Sequence, residues 1–433
     1  MRLTSFKAAM MGWRQALAAY GDRRVLAVLL LGFSSGVPLL LTYSTLSGWL
    51  AQVGISRTGI GLFALVGTPY SLKFLWSPLI ERLPPPLPLG RRRGWGITIQ
   101  LALMAVIAVF GTLDPTRQIG TMAVLAVVVA FLSASQDIVI DAFRIEILDD
   151  ARQGPGAGAV QVGYRMGMLA AGAGALFLAD AFGWTVAYGV MAALLAVGIG
   201  VFLVMPEAQP QPSAAAARDL RTVLAQTIVL PFADIMRRPA WPLALLFIMT
   251  YKLGEAMAGI MAMPLYIAIG FTLTEIGEVS KIFGVVFTLV GCVVGGAVVT
   301  RLGCLKALLI CGVLQSLGNL FYILQAVAGH HLGYLVLCVA AENLTGGMAG
   351  TALVVYVSSL CNLRYTATQY ALLSSLAVLG RTLFASSAGA LADHLGWELF
   401  FLLTTVVTVP ALLLLVFMMR LPGLSAAGQT AAD

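Results

Sequence analysis

Among the polar residues of the otherwise apolar stretch 131–148, FLSASQDIVIDAFRIEIL, four have types and spacing that point to chemistry. They are Gln136, Asp137, Asp141 and Arg144. On a helix, Asp137 and Asp141 are one turn apart and Arg144 follows on the same face. Ionisable groups at membrane depth are costly, and by default they mark a substrate or ion pathway. The alternative is a buried ion pair that only holds two helices together.

The composition places these residues in a membrane protein. The chain has 433 residues, of which 60% are hydrophobic and 10% charged, whereas a soluble domain carries about 25% charged residues. The net charge of +7 is distributed as membrane topology requires, so we do not expect nucleic acid binding. The five cysteines and three histidines show no disulfide framework, metal-ligand spacing or nucleophile–base pair. We therefore expect no enzyme and no metal site.

Apolar segments long enough to cross about 30 Å of hydrocarbon recur along the chain. Twelve qualify, and they predict an all-α integral membrane protein with 12 transmembrane helices, six on each side of the long connection 206–239. The predicted spans are 24–51, 58–82, 94–113, 119–148, 157–180, 184–205, 240–269, 275–300, 304–327, 332–360, 365–392 and 396–420.

The basic residues predict the orientation. Of the 26 Lys and Arg residues, 18 fall in segments that are cytoplasmic if the N-terminus is inside, and two, Arg57 and Arg117, fall in external loops. This asymmetry predicts that both termini are cytoplasmic. The predicted organisation is a cytoplasmic interfacial helix, an N-terminal half, a cytoplasmic linker, a C-terminal half and a disordered tail, at 1–23, 24–205, 206–239, 240–420 and 421–433.

Short sequence repeats support two related halves. Leu178-Ala179-Asp180 with Gly183-Trp184 recurs as Leu391-Ala392-Asp393 with Gly396-Trp397, and one constant offset relates the two copies. A parallel repeat of six-helix halves is typical of major facilitator transporters, whose substrate site lies between the halves near the middle of the membrane.

A degenerate loop motif follows the second and eighth spans. The segment 296–303, GAVVTRLG, resembles the superfamily's loop of glycine, acid, arginine and glycine, and its counterpart is Glu81-Arg82 followed by 90–93, GRRR. In this superfamily the motif is a conformational latch on the cytoplasmic face. The resemblance therefore implies a gating role for Glu81, Arg82, Arg92 and Arg301.

Depth along the predicted spans suggests which interior charges pair. Asp141 lies roughly 10 Å from the end of the fourth span and Arg165 roughly 12 Å from the start of the fifth, so a buried Asp141–Arg165 pair is expected. Lys73 lies at comparable depth and competes for either aspartate. Lys252 and Glu255 are three positions apart and can pair within one helix.

Two carboxylates one turn apart in a low dielectric cannot both ionise cheaply. We therefore predict that Asp137, with Asp141 as its salt-bridged neighbour, binds and releases the coupling proton. Glu342, in the corresponding helix of the second half, is the other candidate. Structural pairing is the competing explanation for each residue.

Aromatic and basic residues predict the walls of a substrate cavity. Tyrosine rings stack on sugar faces and hydrogen-bond hydroxyls, and the excess of interior bases over acids favours an anionic substrate. The candidate cavity residues are Tyr43, Tyr70, Lys73, Gln136, Arg144, Tyr164, Arg165, Lys252, Glu255, Asn343 and Arg381.

Small residues and prolines predict how the helices pack. The pairs Gly32/Gly36, Gly163/Gly167, Gly291/Gly295 and Gly346/Gly350 have the spacing of closely approaching membrane helices. Pro38, Pro69 and Pro264 predict kinks beside a cavity.

Five segments resemble the AmpG family of major facilitator permeases of the Gram-negative inner membrane. They are LGFSSGVP (31–38), PYSLKFLWSP (69–78), GRRRGW (90–95), SASQDIVIDA (133–142) and GYRMG (163–167). The resemblance implies proton-driven import of anhydro-muropeptides, that is N-acetylglucosamine joined to anhydro-N-acetylmuramic acid with or without peptide, for cell-wall recycling, with β-lactamase induction as a downstream signal. Siderophore permeases share the same core, so uptake of a siderophore or another anionic small molecule is the alternative. We expect no cofactor beyond the proton gradient, membrane lipid as surroundings, and a monomer.

Overall fold

A computed structural model describes residues 17–55, 63–207, 229–238, 240–385 and 387–421. Most of the predicted interfacial helix, linker and tail lies outside these ranges. We refer to 17–207 as the N-half and to 229–421 as the C-half.

Within the described residues all regular structure is helical. The N-half contains α1 Arg23–Thr42, α2 Ser44–Gln52, α3 Thr68–Leu72, α4 Ser77–Arg82, α5 Arg91–Phe110, α6 Pro115–Ile147, α7 Asp150–Leu169, α8 Ala175–Phe182, α9 Trp184–Leu194 and α10 Ala196–Val204. Short 3₁₀ turns cover Ala19–Gly21, Phe63–Gly67 and Lys73–Leu75, and one π turn, Ala170–Gly174, joins α7 to α8.

The C-half is built in the same way. It contains α11 Leu230–Met236, α12 Trp241–Thr250, α13 Leu253–Ala268, α14 Leu273–Val279, α15 Val285–Leu302, α16 Cys304–Gly318, α17 Leu320–Ala328, α18 Leu332–Ser359, α19 Thr366–Ala385, α20 Ala388–Val407 and α21 Val409–Arg420. A second π turn, Ser280–Gly284, precedes α15.

Ten stretches of the described chain are long and apolar enough to cross a membrane, by length and composition. The predicted second span, 58–82, is not among them because it is divided into the pieces α3 and α4 around the 3₁₀ turn Lys73–Leu75. The last of the ten, Ala388–Arg420, contains a break at Gly396, where φ is 72°. That break lies where the sequence predicts the end of one span and the start of the next.

Side-chain caps fix where the helices of the central stretch begin. Asp114 accepts the backbone N–H of Thr116 and starts α6 at Pro115, a residue whose missing N–H costs nothing in a first turn. Asp149 accepts the N–H of Arg152 and starts α7 at Asp150. Helix α7 therefore begins well before the predicted position 157, which changes the depth of every residue on it.

Three of the four predicted glycine pairs let helices pack backbone to backbone, whereas Gly346 and Gly350 are approached only by side chains. A Cβ on Gly163 would collide with the carbonyl oxygen of Leu29, and one on Gly32 with that of Val160, so α1 and α7 pack backbone to backbone. Gly291 has the same relation to Leu344 and brings α15 against α18.

The hydrophobic core follows the two halves. One cluster of buried side chains is made of N-half residues together with Ala367 and Ala371 of α19. Another is made of C-half residues together with Ile145 and Ala157 of α6 and α7. The residues of each half that pack in the core of the other half mark where the halves meet.

Candidate functional site

Asp137 is half-buried on α6 and faces α1. The hydroxyl of Ser35 donates to its Oδ1 at 2.5 Å. Ser35 lies in the glycine-lined part of α1, where small side chains let the neighbouring helices approach. This carboxylate therefore has one short hydrogen bond from a neutral donor.

Asp141 pairs with Lys73, whose Nζ lies 3.9 Å from Oδ2. The predicted Asp141–Arg165 pair is wrong. Because α7 begins at Asp150, Arg165 stands about four turns into it, roughly 22 Å along the helix, and so lies deeper than Asp141. Lys73 belongs to the 3₁₀ turn that interrupts the second span, and this turn places its ammonium group beside α6.

Arg144 is fully buried rather than exposed to a cavity. Its Nη2 donates to Ser358 Oγ at 2.8 Å, and its guanidinium carbon lies 5.5 Å from the ring centre of Tyr370. Among the described residues no carboxylate pairs with it. The cavity assignment of Arg144 is thus wrong for this conformation, because the side chain points across the boundary into the C-half.

Gln136 lies away from open space, whereas Asn343 is half-buried. Gln136 is fully buried and its Nε2 donates to the carbonyl oxygen of Ser34 at 3.0 Å, so its cavity assignment is wrong here. Asn343 donates to the carbonyl of Val339 and accepts the hydroxyl of Thr288, both at 2.8 Å. Both amides tie neighbouring helices together.

The predicted cavity tyrosines Tyr43, Tyr70 and Tyr164 are each half-buried in the N-half. Tyr43 separates α1 from α2, with φ −116° and ψ −103°, outside the helical region. Irregular backbone at membrane depth is tolerated where it is enclosed by protein or lines a cavity. This break and the divided second span lie in the same half as the two aspartates.

The C-half contributes a compact polar cluster. The predicted Lys252–Glu255 ion pair is present, and Gln315 also donates to Glu255. Lys252 Nζ further donates to the carbonyl of Gly346 at 3.1 Å. Glu342, one turn before Gly346 on α18, is half-buried, and the Asn343 amide lies 3.5 Å from its Oε2.

Arg165 and Arg381 are exposed and have no hydrogen bond or ion pair among the described residues. They lie on α7 and α19, one in each half. The side chain of Lys281, another base within the predicted spans, is not among those that the structure describes.

The predicted gating residues meet at one end of the bundle, which we call the Glu81 end. It holds the end of α4, the starts of α5, α7 and α19, and the end of α6. Arg92 is buried there between two carboxylates, with Nη2 at 2.6 Å from both Glu81 Oε1 and Glu146 Oε1. Arg91 lies 3.5 Å from Glu81 and 3.7 Å from Glu146. Three helices of the N-half are thereby joined.

The second oxygen of Glu81 reaches the C-half. Its Oε2 accepts the backbone N–H groups of Ala367 at 2.7 Å and Thr368 at 3.2 Å. These are orphan donors of the first turn of α19, where the helix dipole favours a negative charge. Arg82 and Arg301, the other predicted gating residues, are half-buried in the last turns of α4 and α15, and both have interaction partners.

Further contacts close the Glu81 end between the halves. Tyr20 donates to the carbonyl of Val293 at 2.8 Å, and Gln161 to the hydroxyl of Thr351 at 2.8 Å. Gly154 and Gly296 approach so closely that a Cβ on either would lie 2.7 Å from the other's carbonyl oxygen.

Sequence reasoning missed several partners in this network. Ser35, Glu146, Ser358 and Tyr370 were not among the predicted residues. Glu146 could have been found, because it is an acid in the last turn of the same apolar helix as Asp137, beside Arg144. Ser358 and Tyr370 carry no such signal, since their role depends on how the halves meet.

Comparisons with known proteins agree with this architecture. A family model of the Major Facilitator Superfamily matches residues 28–383 and 251–432. The chain is 43% identical over 404 residues to the anhydromuropeptide permease of Escherichia coli K12, covering 93% of this chain and 81% of that protein. It is 35% identical over 408 residues to the putative transporter AmpG 4 of Rickettsia conorii, covering 92% and 97%. The structure of the major facilitator transporter FucP in the outward conformation superimposes with a TM-score of 0.69 at 12% identity, covering 92% and 99%.

Proposed function

The chain belongs to the major facilitator superfamily and, within it, to the AmpG-type permeases, and on this premise we propose that it imports anhydro-muropeptides for cell-wall recycling. The substrate is N-acetylglucosamine joined to anhydro-N-acetylmuramic acid, with or without peptide. The observation that carries the proposal is the 43% identity to the anhydromuropeptide permease over 93% of this chain.

The protein is a multi-pass protein of the bacterial inner membrane, and its relatives are permeases rather than enzymes. We propose twelve crossings, with the divided segment 63–82 and helix α19 completing the set. Both termini and the Glu81 end then face the cytoplasm, in agreement with the distribution of basic residues.

A shared backbone feature supports two pseudo-repeats, at 24–205 and 240–420, joined by a linker at 206–239. Gly90 and Gly303 both have positive φ, of 98° and 80°. Gly183 and Gly396 also do, with 84° and 72°. Each pair is separated by the same offset as the sequence repeat, and only glycine adopts such φ values without strain.

Transport by alternating access accounts for the contacts at the Glu81 end. With that end closed, we propose that the described conformation holds the cavity shut towards the cytoplasm. Loss of the Glu81, Gln161 and Tyr20 bonds would let the halves rock and open it.

We propose that Asp137 carries the coupling proton, with Asp141 and Glu342 as the other acids of the pathway. Asp137 is supported by its partial burial and by a hydroxyl as its hydrogen-bonding partner, so it gains a proton without breaking an ion pair. Asp141 must first lose Lys73. The proton gradient then supplies the energy.

The proposed cavity is lined by residues of both halves that are half-buried or exposed, and by Lys73, which is buried beside Asp141. They are Tyr43, Tyr70, Lys73, Tyr164 and Arg165 from the N-half, and Lys252, Glu255 and Arg381 from the C-half. Tyrosine faces suit sugar rings, and guanidinium and ammonium groups suit anionic substituents.

Uptake into right-side-out membrane vesicles tests the function. Labelled GlcNAc-anhydro-MurNAc should accumulate in vesicles that contain the protein when the outside is acidified, and a protonophore should abolish the accumulation. Vesicles without the protein provide the background. Accumulation of a ferric siderophore but not of the disaccharide would replace the proposed substrate with the alternative.

A further inference from the structure

We propose that Arg165 and Arg381 form a two-sided anion subsite, in which one arginine from each half binds a carboxylate of the substrate. The proposal rests on the proposed function and names the chemical group by which the cavity recognises its substrate. Three properties of the two side chains support the proposal: their direction, their exposure and their depth. The other described interior bases, in contrast, already have partners or are enclosed.

The direction of Arg165 follows from its neighbours on α7. Gly154 packs against Gly296, and Gln161 donates to Thr351, so this stripe of the helix faces the C-half. Arg165 follows Gln161 by about one turn and Gly154 by about three, which puts it on the same stripe.

The direction of Arg381 follows in the same way from α19. Ala367 and Ala371 are buried in the core of the N-half, and Tyr370 faces Arg144 of α6. At about 100° per residue, Arg381 lies between the directions of Tyr370 and Ala371. Its side chain therefore points towards the N-half, from the opposite wall.

The two arginines stand at the same depth. Helix α7 begins at Asp150 and α19 at Thr366, and each arginine lies about four turns, or about 22 Å, along its helix. Both helices start at the Glu81 end. The helices are in contact with the other half near that end, whereas both arginines are exposed beyond it.

The other described interior bases are already satisfied or enclosed. Lys73 pairs with Asp141 and Lys252 with Glu255. Arg144 is fully buried against Ser358 and Tyr370. Arg165 and Arg381 are left with open donors, and the planar guanidinium fork matches a carboxylate with two parallel hydrogen bonds.

A subsite shared between the halves suits the transport cycle. An anion that contacts only one half would bind equally well whether the halves are open or closed, and equal affinity shifts no equilibrium. An anion held by arginines from both halves favours the conformation in which they approach each other. The substrate class is therefore a sugar or sugar-peptide that carries at least one free carboxylate, such as the lactyl carboxylate of the peptide-free disaccharide.

The test compares a carboxylate substrate with its neutral methyl ester in proteoliposomes. Wild-type protein should take up GlcNAc-anhydro-MurNAc with a KM about tenfold or more below that of the ester, and tenfold corresponds to about 1.4 kcal/mol of binding free energy. Arg165→Gln and Arg381→Gln should each raise the KM for the acid about tenfold or more and leave the KM for the ester unchanged. Arg165→Lys should give a smaller rise, because it keeps the charge and loses the fork.

The matched control is Arg117→Gln, which removes an arginine whose side chain is 86% exposed and which pairs with Asp114 at the start of α6. It should change neither KM. The subsite is overturned if Arg165→Gln and Arg381→Gln affect acid and ester equally, or neither, while the wild type still transports both. Wild-type protein that transports neither compound overturns the proposed substrate itself, and with it the subsite. Elution as a single symmetric peak from a sizing column establishes that each variant is folded.

Discussion

The carboxylate of Glu81 accepts the backbone N–H of Ala367 at 2.7 Å and so caps a helix of the other half. Its other oxygen is held by Arg92 at 2.6 Å, and Arg92 is held in turn by Glu146. One side chain thus joins three N-half helices to the first turn of α19. A cap of this kind exists only while the Glu81 end is closed.

Glu81→Gln should open that end. The amide has no negative charge, so it loses both the favourable interaction with the N-terminus of α19 and the ion pair with Arg92. Each of these interactions is worth on the order of 1 kcal/mol. Thr300 is buried beside Gly154 at the boundary. In a background free of native cysteines, a Thr300→Cys side chain should then react about tenfold faster with a thiol reagent.

Glu207→Gln is the matched control for that experiment. Glu207 also caps a helix, accepting the N–H groups of Arg92 at 2.7 Å and Arg93 at 3.1 Å, but cap and helix are both in the N-half. Its loss should leave the labelling rate of the Thr300→Cys side chain unchanged. Equal labelling rates in both variants would mean that Glu81 acts only as a local cap.

Asp137→Asn should abolish uptake driven by a pH gradient and preserve exchange of internal for external substrate. The amide keeps the size of the side chain and its contact with Ser35 but cannot bind a proton and release it. Vesicles with a preset pH difference measure the first activity, and preloaded vesicles at equal pH measure the second. Asp180→Asn, at an exposed acid of α8, should affect neither. Undiminished gradient-driven uptake by Asp137→Asn would transfer the role to Asp141 or Glu342.

Gly163→Ala should destabilise the protein. The added methyl group meets the carbonyl of Leu29 and the N–H of Phe33, so α1 and α7 must separate, at a cost of about 1–3 kcal/mol. Gly200→Ala is the control, because a Cβ there meets no atom within 4 Å. Since alanine is the better helix former, Gly200→Ala should keep or raise the unfolding temperature. Thermal unfolding in detergent, followed by tryptophan fluorescence, distinguishes the two, and equal melting temperatures would contradict close packing at Gly163.

Asp234 should give the protein an acid-sensitive contact outside the spans. Partial burial raises the pKa of this carboxyl, but hydrogen bonds from Gln369 at 2.8 Å, Arg238 at 2.7 Å and Asn362 at 3.3 Å outweigh burial and lower it below its usual value. A lowered pKa stabilises the fold above the unfolded pKa of about 3.9, and the contribution is lost as the pH falls through the folded pKa.

The difference in melting temperature between wild type and Asp234→Asn should therefore be constant from about pH 7 to about pH 5 and shrink below about pH 4. Asp393→Asn, at an exposed acid, should show no such trend. If the difference in melting temperature instead widens as the pH falls, the pKa of Asp234 is raised in the folded protein, and the prediction is wrong.

The features that depend on local sequence were the ones that could be predicted. Apolar length predicted the helices, and glycine spacing predicted close helix packing at Gly32 and Gly163, but not which helices meet there. The spacing of Lys252 and Glu255 predicted their ion pair. Each of these depends on residues within one helix or on one repeated packing rule.

Pairing between helices was less predictable, because it depends on where each helix starts. The Asp141–Arg165 prediction failed since α7 begins at Asp150 rather than 157. The cap residue Asp149 was the available signal. The direction of Arg144 could not be derived at all, because on a helix its face is shared with Asp137 and Asp141, and only the position of α19 decides what it meets.

The burial of Arg144 has an energetic consequence for the whole cycle. Closing the Glu81 end removes water from the guanidinium group of Arg144. In place of water the group contacts the hydroxyl of Ser358 and the ring face of Tyr370, and it has no carboxylate partner among the described residues. Taking a charge out of water without a full partner is costly, so it offsets part of what the Glu81 cap contributes. The burial of Arg144 and the Glu81 cap therefore act in opposite directions on the closed conformation. A transporter that works by alternating access must visit both conformations in every turnover, and the desolvation of Arg144 shifts the balance away from the closed one.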